Sequence, residues 1–345
     1  MIPIQNIYYM LSYAFQVLNE QGYKNIATEQ FHNTAELMAA ILEKGIAIQL
    51  KRGLGKEYIP QTEALSSLRG KIDIAESIKT QSMLRKQLIC TYDEFSVNSI
   101  MNRIIKSTVE LLLRSNISKQ RKKNLRKLMV YFSEVDFIDL YTVNWNVQYN
   151  RNNQTYRMLI SICYLVVKGL LQTQSNGHTK LMDFLDEQRM CRLYEKFILE
   201  YYRREFKNQI TANASQIPWQ LDNEENSMLP VMQSDIMLQS GEKVLIIDAK
   251  YYEHSTQVQS DKHTLHSGNL YQIFTYVKNK EYELREKDHT VSGMLLYAKT
   301  DEEIYPNNVY QMSGNQIAVR TLDLNLPFDE IAGQLNTIAK THFDL

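Results

Sequence analysis

The chain has 345 residues, 44% of them hydrophobic and 23% charged, an ordinary globular composition with length for about two domains. Its 39 basic and 39 acidic residues cancel, which excludes an all-over nucleic-acid coat but leaves room for a local basic groove. No stretch approaches the roughly 18 unbroken apolar residues of a membrane span, and the opening MIPIQNIYYMLSYAF lacks the basic region and cleavage site of a secretory signal.

In chain order, residues 1–50 read as helical, with Ile7, Met10, Leu11 and Phe15 apolar and a second helical run over 35–47. Tyr8, Tyr9 and Tyr13 are expected to pack this region rather than bind a ligand. From Gly45 the pattern changes: IAIQL (46–50) alternates toward strand, KRGLGK (51–56) supplies a turn, and EYIP leads out through Pro60. LRGKIDI (68–74) is a further strand candidate, so a hairpin or small sheet embedded in helices is predicted. Residues 98–113 then place Ile100, Ile104, Ile105, Val109 and Leu112 near one helical stripe. The run Lys119, Arg121, Lys122, Lys123, Arg126 and Lys127 is either a solvated helix face or a phosphate- or partner-contacting patch. It has no interleaved aromatics, so a base-stacking platform is unsupported.

TVNWNVQYNRNNQ, around 141–155, is polar and Asn-rich, and the domain boundary is placed there, giving 1–150 and 151–345. The first part carries 19 basic against 14 acidic residues and the second 20 against 25. Helices are predicted over 156–172 and from Met182 to about Phe206, then short strands and loops after Asn213. Cys90, Cys163 and Cys191 form no CxxC pair. They read as small buried residues of a reducing, cytosolic protein. Neither a P-loop nor a GxGxxG fingerprint is present, so no nucleotide is bound by those means.

The chemistry concentrates in MQSDIMLQSGEKVLIIDAKYY (232–252), read as strand, Ser-Gly turn, strand. The apolar, β-branched run through Val244, Ile246 and Ile247 marks a buried strand. Asp248 and Lys250, two apart, share one face of it. Two charges there are costly unless paired or bound to something. Asp235, at the start of the preceding strand, lies beside them if the strands form a hairpin. Asp235 and Asp248 suit Mg²⁺, which takes one or two carboxylates plus substrate phosphate, and the Ala249 carbonyl is a further candidate ligand. A bound metal would acidify water and offset charge building on phosphorus, while Lys250 could orient or deprotonate that water or neutralise the phosphate. A D-x(n)-D-x-K string also arises by chance as a surface salt bridge; the buried apolar lead-in argues against that here.

In NLYQIFTYVKN (269–279) Gln272 and Tyr276 stack four apart on a predicted helix, placed to brace the lysine and to hydrogen-bond a scissile strand. GMLLYAK (293–299) offers one more buried strand, and RLYEKFILEYY (192–202) is a helix. Glu195 on that helix either reaches the metal through a water or is one more solvated carboxylate. His263 and His266 sit together in QSDKHTLHSGN, but no third residue is spaced to complete a zinc site. No GxSxG elbow supports acyl transfer.

The D…D-A-K-Y-Y hairpin followed by a Gln-x3-Tyr helix resembles the PD-(D/E)xK nuclease superfamily. From end to end, through IPIQNIYYMLSYA, KRGLGKEY, LRGKIDI, NRIIKST, LYEKF, SDIML, LIIDAKYY, NLYQIFTY and GMLLYAK, the chain resembles the McrC family of the McrBC modification-dependent (type IV) restriction systems. The resemblance implies an α+β protein in two parts. An amino-terminal helical and β-hairpin partner-binding region, 1–150, would precede a restriction-endonuclease-like domain, 151–345, with a mixed sheet flanked by helices. It implies a prokaryotic, cytoplasmic DNA endonuclease subunit that binds and stimulates a McrB-like hexameric AAA+ GTPase ring, inserting part of its amino-terminal region into the channel. DNA carrying modified cytosine would be cut after translocation. Asp235, Asp248 and Lys250 match the nuclease motif residue by residue, with Gln272 and Tyr276 as supporting catalytic candidates. Asp235, Asp248 and, more weakly, Glu195 would hold Mg²⁺, or alternatively Mn²⁺. GTP would belong to the partner, and Lys51 and Arg52 in the expected hairpin would touch it. The competing reading is a non-catalytic activator of the ring with a vestigial nuclease motif. A stand-alone nuclease is disfavoured, since 1–150 carries no chemistry of its own.

Overall fold

The structure is a computed structural model that describes residues 2–19, 23, 26, 29, 31–150, 153, 155–175, 187–222, 228–252, 257–259, 262–299 and 305–345. It divides into two compact units: 28–184, and a second made of 1–27 together with 185–345. The division therefore falls at 27/28 and 184/185 instead of near 150. Helix α1 (Ile4–Ala14) explains the first of these breaks. Its Asn6 amide donates to the Leu324 and Leu326 carbonyls at 2.8 Å each, and Tyr9 stacks on Phe328 with ring centroids 4.4 Å apart. Tyr13 lies among Phe197, Tyr201 and Phe328. The amino-terminal tyrosines are packing aromatics, as expected, but Tyr9 and Tyr13 pack against residues distant in the chain, Phe328 among them.

Unit 28–184 begins with α2 (Thr34–Arg52), capped by Asn33, whose side chain accepts from the Glu36 amide. Here the strand expected at 46–50 is overturned. Ile46 and Gln49 are buried at helical spacing, and the helix continues until Gly53, whose φ of +90° suits glycine and ends it. Lys51 and Arg52 are exposed in the last helical turn, not in a hairpin. The sheet follows: β1 (Glu57–Leu65), β2 (Lys71–Asp73), then α3 (Ile74–Lys79) and β3 (Leu88–Ser96), with antiparallel strand order β1-β3-β2. Pro60, expected to lead out of a turn, lies inside β1, an edge strand where its missing N–H is tolerated. The predicted strand over 68–74 is shorter, since Asp73 caps α3 through the Glu76 amide.

Helix α4 (Ile100–Arg114) buries Ile104, Ile105, Val109 and Leu112 of its predicted stripe, while Ile100, in the first turn, is exposed. The basic run forms α5 (Lys119–Met129). Lys119, Lys123, Arg126 and Lys127 face solvent, while Arg121 turns inward. Among the described residues, 133–155 holds no helix or strand, and α6 (Tyr156–Ser175) follows. The Tyr156 hydroxyl accepts from the Gly55 amide at 2.7 Å and donates to Asn102 at 2.8 Å. A side chain on Gly55 would press on that ring at 3.0 Å.

In the second unit α7 (Glu187–Glu205) leads to β4 (Thr211–Asn213), β5 (Gln216–Ile217), β6 (Met232–Gln233), β7 (Ile236–Ser240) and β8 (Lys243–Lys250). The short pair β9 (Gln257–Gln259) and β10 (Lys262–Thr264) precedes α8 (Ser267–Glu283). Strands β11 (Thr290–Ala298), β12 (Asn308–Met312) and β13 (Asn315–Leu322) and helix α9 (Phe328–Phe343) complete it. The six-stranded sheet runs β12-β13-β11-β8-β7-β4; β13, β11 and β8 are parallel, and the other neighbours antiparallel. This is the mixed sheet flanked by helices that was expected. Val244, Ile246, Val291, Leu295, Ile317 and Val319 gather with Ile273, Tyr276 and Val277 of α8 into one core. Each fully buried Val, Leu or Ile contributes about 1.5–3 kcal/mol by leaving water. Gly293 lets α8 approach, because a Cβ there would meet Ile273 and Val277 at 2.8 Å. No described helix is long and apolar enough to cross a membrane.

Candidate active site

Alternation along β8 puts Val244, Ile246, Asp248 and Lys250 on one face, the first two in the core with α8. The apolar half is what buries the charged half: Asp248 is only 1% exposed. The β7–β8 hairpin pairs Ile236 with Ile247, so one step further along the same register Asp235 falls opposite Asp248. There Asp235 Oδ2 accepts the Ala249 amide hydrogen at 3.0 Å. The sequence-predicted hairpin thus brings the two aspartates together.

Lys250 closes the group. Its Nζ donates to Asp248 Oδ1 at 3.0 Å and lies 2.9 Å from Oδ2, and it also donates to Gln272 Oε1 at 3.3 Å. Gln272 Nε2 in turn donates to the Tyr276 hydroxyl at 2.9 Å, one turn along α8. All four side chains, Asp248, Lys250, Gln272 and Tyr276, form one hydrogen-bonded chain.

The charges do not balance. Asp235 is pushed up to about 8, first by burial, then by the charges of Asp248 and Glu195, with Lys250 pulling the other way. Burial would lower Lys250, but Asp248 and Asp235 outweigh it and hold the ammonium protonated above its ordinary range. Asp248 Oδ2 is buried, with the Lys250 ammonium 2.9 Å away as its ion-pair partner. Two adjacent carboxylates, Asp248 buried and Asp235 half-buried, served by a single lysine either share a proton or accept a cation. An oxygen-liganded divalent ion fits that pair, and bound there it would supply Lewis acidity toward a phosphate oxygen and lower the pKa of a water.

Glu195 is near, but differently engaged. It accepts the Cys191 thiol at 3.1 Å, one turn earlier on α7, and burial raises its pKa. Among the described residues no set of three His, Cys, Asp or Glu is spaced to hold an ion; Glu195 acts on the aspartates through its charge. Cys191, expected as a plain buried residue, instead touches this site: burial and then Glu195 push its thiol up to about 12, and its Sγ lies 3.8 Å from the Ala249 carbonyl. Its spacing of four from Glu195 was the available signal. Asn269 was also missed; it donates to the Tyr297 hydroxyl at 2.9 Å and accepts from Tyr252 at 3.3 Å, fixing the start of α8. His266 precedes α8 with its ring edge-on to Tyr252 at 5.4 Å, while the His263 side chain lies outside the described residues.

The sequence model of the McrBC 5-methylcytosine restriction system component family matches residues 5–298. The chain belongs to this family. A relative from Escherichia coli (strain K12), the type IV methyl-directed restriction enzyme EcoKMcrBC, is 30% identical over 329 residues, 94% of this chain and 93% of the relative. Among solved structures, a refined half-complex from a tetradecameric assembly of Thermococcus gammatolerans McrB AAA+ hexamers with bound McrC is 18% identical. It covers 97% of this chain and 76% of its own, with a TM-score of 0.49. A Thermococcus gammatolerans McrBC complex is 21% identical over 59% of each chain, with a TM-score of 0.42. All five residues of the candidate site lie inside the stretch matched to the McrBC family.

Proposed function

We propose that this chain is the DNA-cutting subunit of a McrBC restriction system, a PD-(D/E)xK nuclease in which Asp235 and Asp248 hold Mg²⁺ or Mn²⁺ beside Lys250. The observation that carries the reading is the unbalanced carboxylate pair at the β7–β8 hairpin, braced by Gln272 and Tyr276 in a member of that family. The metal would supply Lewis acidity at the phosphate. Lys250, held as an ammonium, acts as a positioned positive charge and hydrogen-bond donor toward an oxygen of the pentavalent phosphate rather than as a base. Gln272 holds Lys250 in place, and Tyr276 holds Gln272.

The partner in this reading is a McrB-like AAA+ GTPase ring that supplies GTP turnover and reads modified cytosine in double-stranded DNA, which agrees with the absence of a P-loop from this sequence. Unit 28–184 is assigned to partner binding, with exposed Lys51 and Arg52 as contacts. One observation favours the second reading, an activator with a vestigial motif: among the described residues Glu195 does not complete a three-ligand set with the aspartates. A single experiment separates the two. The chain is mixed with its cognate ring, and methylated-plasmid cutting and GTP turnover are recorded together for wild type and Asp248→Ala. The nuclease reading expects cutting to vanish in the variant while stimulated GTP turnover persists. Stimulation by wild type without any cutting would leave the activator reading standing.

A further inference from the structure

Asp235 lines an open cavity of about 360 Å³ together with Arg192, Glu195, Lys196 and Leu199 of α7, facing Gln233 and Ser234. Its size is on the scale of a small-ligand site. Arg192 and Lys196 are four apart and share one helix face. Lys196 is directed by Phe15, whose ring centroid lies 4.1 Å from its ammonium, and Arg192 is close enough to influence the Glu195 carboxyl. The other charges here are three carboxylates, Asp235, Asp248 and Glu195, against Lys250. A polyanion reaching this end of the sheet meets like charge at short range, where repulsion in a poorly screened site is strong. A cation at the aspartates and the two basic residues of α7 would together offset it.

We infer that this cavity seats a backbone phosphate of the cut strand next to the one at Asp248, with Arg192 and Lys196 as its cationic contacts. The inference rests on the nuclease reading and deepens it, making the two residues substrate-positioning rather than catalytic. Interactions of this kind carry no sequence information, so they act alike on methylated and unmethylated DNA.

The test is fluorescence anisotropy of the full chain with a short labelled duplex, Ca²⁺ replacing Mg²⁺, over a range of salt. Wild type is compared with Arg192→Gln/Lys196→Gln and with a control, Arg285→Gln/Lys287→Gln, which removes the same charge between α8 and β11, at the opposite end of the parallel strands from Asp248. The α7 double variant should bind at least about tenfold more weakly. Its salt slope should fall by about 0.9 for each phosphate it no longer neutralises, equally for methylated and unmethylated duplex, with the control unchanged. The inference is overturned by wild-type binding in the α7 variant, by an equal loss in the control, or by a wild-type chain that binds no duplex. Cutting assays on the same proteins with the cognate ring present keep the two ideas apart: if wild type never cuts yet the α7 variant loses binding, the nuclease reading fails while the cavity remains a DNA-phosphate contact.

Discussion

Two clusters in this chain have the same ingredients, one cation among three carboxylates, and opposite outcomes. In unit 28–184 Arg121 reaches Glu29 through Nη2 at 2.7 Å, Glu43 through Nη1 at 2.8 Å and Glu36 through Nε at 3.4 Å. Glu36 also accepts from the Ser118 amide and hydroxyl, and Glu43 from Asn124. Burial would lower Arg121, yet the glutamates outweigh it and raise its pKa. Around Lys250, by contrast, the ammonium pairs with Asp248 alone, through both its oxygens, and Asp235 rises to about 8. A charge cluster that satisfies itself is scaffolding. One that leaves a deficit is set up to receive something.

The largest expected contrast comes from removing each cation. Lys250→Ala should lower DNA cutting by about 10²–10³-fold, as loss of a positioned electrostatic donor does, when plasmid cutting is timed with the cognate ring present. Arg121→Ala should instead act on folding: stripping the partner from the buried Glu36 and the partly exposed Glu29 and Glu43 costs about 1–3 kcal/mol, read as a lowered urea midpoint with an unchanged slope. An Arg121 variant of wild-type stability would break the comparison.

The next effect is on pH. The raised Asp235 value means the folded chain keeps a proton that the unfolded chain has lost between about 4 and about 8. The unfolded state then binds fewer protons, so metal-free stability falls as pH rises through that window. Asp235→Asn removes this dependence. The variant should match wild type below pH 4 and exceed it at pH 8 by about 1–3 kcal/mol, or about 2–6 °C in Tm, in thermal melts with chelator. The smallest effect is on the brace. Tyr276→Phe deletes the acceptor of the Gln272 amide and should slow cutting by about three- to tenfold, roughly the worth of one hydrogen bond, without moving the Tm by more than a degree or two.

The site was more legible than the scaffold that presents it. Asp248 and Lys250 follow from the two-residue period of a strand, and Gln272 with Tyr276 from the four-residue period of a helix, both local rules. Asp235 opposite Asp248 needed only a tight hairpin. The strand expected at 46–50 failed, and the turn expected at 51–56 shrank to 53–56, because a short apolar stretch such as IAIQL fits either period; burial of Ile46 and Gln49 decided for the helix. The grouping of α1 with 185–345 depends on Asn6 and Tyr9 meeting partners more than 300 residues away, which no local pattern reveals. Arg121 was one lysine-or-arginine among several until three glutamates from elsewhere in the chain enclosed it.

The nuclease reading stands on the deficit at Asp235 and Asp248 being a cation site. Calorimetric titration of Mn²⁺ into the full chain, wild type beside Asp248→Asn, tests that most directly. Saturable binding to wild type that disappears in the variant is the predicted result. Binding of equal strength in both proteins, or none in wild type, would contradict it.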